Sequence, residues 1–192
     1  AISEVVQAIT GYLPQNLIIH TSGSTNLTVI EDMHARAGVF YPLQTFSFER
    51  EVNWLETPLF VEATEQQDLQ ALTQLANSLS NQVYQYSSKQ RQTLHLAAVF
   101  ACNFVNHCYE ISSGILNKND IPFDVMLPLI DETAKKVHEM KPKDAQTGPA
   151  VRYDENVISR QMQLLDGTPL NKEIYQLMSK SIHATAINKE DL

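Results

Sequence analysis

Residues 83–117 read VYQYSSKQRQTLHLAAVFACNFVNHCYEISSGILN, and within them the chain changes character. Val83 and Tyr84 with Tyr86 make a last short strand, and beyond Ser88 the strands stop. Leu94, Ala97, Ala98, Ala101, Val105, Cys108, Ile111 and Ile115 then recur at three- and four-residue spacings, which predicts one long helix from about Lys89 to Asn117. Such a helix is apolar enough to be buried on more than one side.

Upstream of this point helices and strands alternate. A short helix runs from residue 2 to about 12, ending at Gly11, and the apolar run Asn16-Leu17-Ile18-Ile19-His20 has the look of a buried strand. Thr21 to Thr25 supply turn and helix-cap chemistry, and Leu27, Val29, Ile30 and Met33 give a second helix. Val39-Phe40-Tyr41 is a strand closed by Pro42; residues 47 to 57 are loop-like, and Leu59-Phe60-Val61-Glu62-Ala63 is a third strand. Thr64 and Gln67 have the spacing of a capping box that starts a helix through about Leu79. This is the α/β rhythm of a doubly wound sheet.

Downstream the pattern is helical throughout. Pro122 opens a helix from Phe123 to about Met140, residues 141–149 form a Pro- and Gly-bearing loop, and two helices follow near 154–165 and 169–185. The expected fold is therefore an α/β partial Rossmann-like sheet followed by an all-α helical domain. Residues 1–87 form the sheet domain, 88–185 the helical domain, and 186–192 a polar tail expected to fray.

Bulk composition narrows the function. The chain has 22 acidic and 14 basic residues for a net charge of -8, with 43% hydrophobic content, which argues against a nucleic-acid partner. No stretch approaches the roughly 18 apolar residues of a membrane span. Cys102 and Cys108 sit in the apolar helix as small hydrophobes, with neither disulfide nor zinc spacing, and fit a cytoplasmic location. No metal site is expected, since the acidic and histidine residues around 131–139 lack ligand spacing. The six glycines are scattered and form no phosphate-binding fingerprint within these residues.

Three stretches carry candidate chemistry. His20-Thr21-Ser22-Gly23 stands where a buried strand ends, the place where open α/β sheets bind ligands; it also suits a plain turn in which Ser22 or Thr25 caps the next helix. Tyr41, Pro42, Gln44 and Thr45 occupy the same position after the next strand. On the long helix His95, Asn103, Asn106 and His107 interrupt the apolar pattern, and they could line a cleft or form an interhelical hydrogen-bond network. The Gly148-Pro149 loop delivers Arg152, whose guanidinium could grip a carboxylate or phosphate or pair with Asp154 at the next helix.

Five motifs in order carry a resemblance: His20 to Gly23, Tyr41 to Phe46, Leu94 to Asn103, Leu127 to Thr133 and Thr147 to Arg152. From Ile2 to about His183 the chain resembles the candidate NADP oxidoreductases that join a Rossmann-like domain to a helical domain of unknown function. That group is similar to the β-hydroxyacid dehydrogenases, pyrroline carboxylate reductases and deazaflavin-dependent NADP reductases. Its members open with a strand, a glycine fingerprint and a helix, so the chain resembles a member lacking about its first three strands.

The resemblance implies NADP as cofactor, a small-molecule substrate in a cleft between the domains, and a homodimer built from the helical halves. It places His20, Ser22, Gly23, Tyr41 and Pro42 toward the cofactor. Thr45, Asn106, His107 and Arg152 face the substrate, and His95, Asn103 and Gln44 are the catalytic candidates. The β-hydroxyacid dehydrogenases carry a general acid-base Lys one turn before the Asn of this helix. Here that position is Val99, which leaves imidazole as the proton donor. The alternative is a non-catalytic ligand-binding or regulatory dimer that keeps only the fold.

Overall fold

The computed structural model describes residues 1–187, which fall into two compact units, Ala1–His107 and the described residues from Cys108 onward. The first holds helix α1 (Ile2–Ile9), strand β1 (Ile18–His20), the single turn α2 (Thr28–Glu31), β2 (Ala37–Pro42), β3 (Leu59–Ala63), α3 (Gln66–Leu79), β4 (Val83–Gln85) and α4 (Ser88–Ala98). A π-helical stretch, Val99–Phe104, continues α4 into α5 (Val105–Asn117). The predicted long helix is therefore present, with one wide turn that its apolar spacing did not foretell.

The sheet order is β1-β2-β3-β4. β1 and β2 are parallel, as are β3 and β4, but β2 and β3 run antiparallel. The doubly wound expectation needs that one amendment, and the connection explains it. Residues 43–58 contain only the short 3-10 turn Trp54–Glu56, so nothing carries the chain back along the sheet, and β3 returns beside β2.

Strand alternation then sorts side chains to two faces. Ile18, Ala37, Val39, Tyr41 and Phe60 pack with Val6, Leu27 and Ile30 on one face. Phe40, Leu59 and Val61 pack with Leu72 and Ala76 of α3 on the other. Gly38 allows α3 to approach, since a Cβ there would stand 2.9 Å from a Leu72 methyl. The side chain of Arg36 binds both oxygens of buried Asp68, joining the start of β2 to the first turn of α3.

Two local expectations are corrected. Thr64 does not cap α3; its hydroxyl donates to the Ala35 carbonyl at 3.1 Å and accepts the Ala37 N–H at 3.2 Å, tying the end of β3 to the start of β2. Glu65 occupies the N-cap position without a side-chain bond. The capping box belongs to α4 instead, where Ser87 and Gln90 bond reciprocally. The long helix is also less buried than its composition suggests: Leu96, Phe100 and Phe104 are 58, 62 and 50% exposed. Its apolar residues extend around the cylinder, and Leu94 of α4 packs against the buried residues of the sheet.

In the second unit a 3-10 turn, Phe123–Met126, leads into α6 (Leu127–Glu139), followed by α7 (Pro142–Ala145), α8 (Glu155–Leu164) and α9 (Pro169–Ile187). Ala150, Ile158, Leu165 and Ser179 are buried there. The Gly148–Asp154 corner uses positive φ at Gly148 (101°) and at Tyr153 (50°). The Tyr153 ring lies 4.7 Å from that of His183, whose Nδ1 is 3.3 Å from the Val151 carbonyl. Ala186 and Ile187 belong to α9, while the rest of the expected tail, 188–192, lies outside the described residues. No helix among the described residues is long and apolar enough to cross a membrane.

Candidate functional site

The parallel pairing of β1 and β2 brings their carboxyl ends to one side of the sheet, and the two-residue alternation points His20, Tyr41 and Glu62 to the same face. Over that face lies the first part of α4. Ser88, Arg91 and His95 recur at spacings of three and four, so they form one stripe of the helix.

Arg91 is the centre of the arrangement. It is 1% exposed, and its Nη1 donates to the carbonyls of Ser22 (2.6 Å), Gly23 (3.1 Å) and Thr25 (2.7 Å). Its Nη2 donates to Ser88 Oγ at 2.9 Å and to Glu62 Oε2 at 3.3 Å. Glu62 in turn accepts the Ser88 N–H and hydroxyl, each at 2.7 Å, and Ser88 Oγ accepts the Leu27 N–H at 2.9 Å. One guanidinium thus pins the loop after β1 to the sheet and to α4.

The loop itself is closed by Ser22, whose Oγ accepts the Thr25 N–H at 3.1 Å and meets the Thr25 hydroxyl at 2.8 Å. Ser22 is therefore a turn-former, and the N-cap of α2 is Leu27, which makes no side-chain cap bond. The N–H groups of Gly23 and Ser24 make no hydrogen bond among the described residues.

Against Gly23 stand Tyr41 and His95. The Tyr41 hydroxyl is 3.1 Å from His95 Nδ1, with the two rings edge-on at 6.0 Å. A Cβ on Gly23 would lie 2.5 Å from that Nδ1 and 2.8 Å from the hydroxyl. The glycine is thus required by close approach. Burial pushes the Tyr41 phenol above its ordinary range, opposed by the charge of Arg91.

His20 lies beneath the loop, 6% exposed, with Nδ1 accepting the Ser22 N–H at 3.2 Å and Nε2 buried without a partner in hydrogen-bonding geometry. Burial lowers its pKa, as does Arg91, while the Asn26 backbone and Glu62 pull it up. A groove of about 420 Å³ beside β1 is lined by Ile2, Val5, Ile9 and Ile19 and ends at His20 and Ser22.

The structure thus brings together five of the residues singled out from the sequence: His20, Ser22, Gly23, Tyr41 and His95. Pro42 ends β2 on the same rim, and Gln44 and Thr45 are exposed in the loop beyond it, where Gln44 Oε1 accepts the Thr45 N–H. Asn103, Asn106 and His107 are exposed, Asn103 on the π-helical turn. Arg152 is exposed in the second unit, where Asp154 caps α8 by accepting the Val157 N–H and makes no ion pair with it among the described residues.

Sequence reasoning missed Arg91, Glu62 and Ser88. Two signals were available: a carboxylate in the apolar run of β3, and an arginine on the helical face shared with Leu94 and His95.

The family model for a domain of unknown function, DUF2520, matches residues 57–182. A candidate NADP oxidoreductase from Bacteroides fragilis is 48% identical, with TM-score 0.88 over 94% of this chain and 72% of that one. A Thermotoga maritima protein is 19% identical, with TM-score 0.75 over 97% of this chain and 76% of that one. Pyrroline carboxylate reductase from Plasmodium falciparum, solved with NADP bound, is 15% identical, with TM-score 0.54 over 96% of this chain and 77% of that one. The latter two show the fold alone. A search of curated proteins finds no match. With two thirds of its length inside the family model, the chain belongs to the DUF2520 family.

Proposed function

We propose that the protein is an NADP-dependent oxidoreductase acting on a small metabolite. The observation that carries this reading is the Gly23, Tyr41 and His95 cluster at the carboxyl ends of β1 and β2, where open α/β sheets bind ligands. The 48% identity to a candidate NADP oxidoreductase supports it.

The residues at this rim fit a nicotinamide nucleotide. The unclaimed N–H groups of Gly23 and Ser24 would hold acceptor oxygens of the cofactor, on a loop that Arg91 keeps rigid. His20, Ser22, Tyr41 and Pro42 shape that rim. When bound, the nicotinamide supplies or accepts the hydride. His95 supplies a hydrogen-bond or proton donor to the substrate, and Gln44 and Asn103 orient it. Thr45, Asn106 and His107 complete the substrate contacts in this reading.

The proposal includes a cytoplasmic homodimer joined through its helical part. Leu164, Leu170 and Leu177 of the second unit are 85, 67 and 70% exposed, apolar side chains that a partner copy would cover.

Calorimetric titration of the protein with NADPH and NADH tests the reading. Saturable binding of NADPH, weakened by Ser24→Pro, which removes one of the unclaimed N–H donors, is the expected result. Absence of binding by either nucleotide overturns it.

A further inference from the structure

We infer that Tyr41 is the positioning residue of His95: its phenol donates to Nδ1, holds the imidazole as the Nε2–H tautomer, and leaves Nε2–H as the group offered to a ligand oxygen.

The direction of the 3.1 Å bond follows from counting protons. The phenol has one O–H, and among the described residues His95 Nδ1 is its only partner. Were Nδ1–H to donate instead, the Tyr41 proton would be left without an acceptor at a side chain only 8% exposed, and leaving a buried donor unmade is costly. Burial also pushes the phenol above its ordinary range, which favours the protonated form that this bond needs.

Gly23 completes the device. Its Cα lies against both ends of the hydrogen bond, leaving no room even for a methyl group between it and either ring. Water is therefore kept from competing for Nδ1 on that side. Arg91 holds the Gly23 carbonyl and so keeps this wall in place.

The second ring nitrogen has no protein acceptor among the described residues, and the ring is half-buried rather than sealed. A histidine with one nitrogen fixed by a neighbour and the other free is arranged to present a single donor in a known orientation. The ligand chemistry that matches is an acceptor oxygen, such as the carbonyl of a substrate about to be reduced. That use rests on the oxidoreductase reading, whereas the tautomer does not.

The test is long-range proton–nitrogen correlation NMR on the protein with nitrogen-15-labelled histidine, well above neutral pH, with His95 assigned through His95→Gln. In the unaltered protein the His95 Nδ1 resonance is expected at the position of an unprotonated nitrogen that accepts a hydrogen bond. In Tyr41→Phe it is expected to move toward that of an unbonded ring nitrogen. A protonated Nδ1 in the unaltered protein overturns the inference without any variant, and so does an Nδ1 resonance that Tyr41→Phe leaves in place. NADPH titration of the same samples separates the two ideas: the expected nitrogen spectrum with no nucleotide binding keeps the lock and sinks the oxidoreductase reading.

Discussion

The long helix contains two stretches of opposite character a few turns apart. At its start, Ser88 and Arg91 are buried and hydrogen-bonded to β3 and to the loop after β1, Arg91 through both of its Nη atoms. Along Val99–Phe104 the backbone opens into a π-helix, with Phe100 and Phe104 exposed and touching each other edge-on at 4.9 Å. The difference teaches that composition misleads in both directions. The polar stretch is the buried one, because its charges have long-range partners. The apolar stretch is exposed, because nothing among the described residues of its own unit covers it.

The largest expected effect breaks the buried end. Arg91→Met fills similar volume but leaves the Glu62 carboxylate without its cation and three loop carbonyls without a donor. Losing one partner of a buried pair costs about 3–5 kcal/mol. Urea unfolding monitored by circular dichroism should show that loss, whereas Asn103→Ala on the π-helical turn should stay within about 0.5 kcal/mol, as for other exposed sites. Equal effects at the two positions would erase the contrast.

A middle-sized effect is expected at Gly23. Gly23→Ala places a methyl within 3.0 Å of both Tyr41 and His95, and overpacking of this kind costs about 1–3 kcal/mol. The same unfolding experiment reads it. A neutral result would mean that the loop yields easily, and with it the idea that Arg91 holds it firmly.

How much of this was legible beforehand depends on how local the cause is. The limits of β3 and the near-continuous helix from Ser88 to Asn117 follow from short apolar patterns that the chain keeps in the fold. His20, Gly23 and Tyr41 could be singled out because the ends of strands are where ligands bind, a rule that needs only strand positions. Arg91 could not be singled out that way. Its stretch, Ser87 to Thr93, reads as a solvated first turn, and its burial depends on Glu62 and on the loop at Ser22–Thr25, far away in sequence. The antiparallel β2–β3 pair was hidden for a similar reason: only the absence of a helix in 43–58 announced it. The π-helical turn has no counterpart in the spacing of apolar residues at all.

The smallest effect sharpens the comparison by asking whether the buried end also sets a titration. Burial first, and then the charge of Arg91, hold the His20 pKa below its ordinary 6.5, so the folded chain resists protonating this ring. A histidine whose pKa is lower folded than unfolded contributes stability that is fully present above about 6.5 and is lost as pH falls from there through the folded value. Unfolding curves collected across that range should show stability falling with acid, and His20→Gln should flatten that part of the profile by removing the titrating group. In Arg91→Met one of the two depressing causes is gone, so the His20 share of the acid loss should shrink without vanishing, because burial remains. If the slope is the same with and without Arg91, the charge at the start of the helix does not reach His20, and only desolvation acts on it.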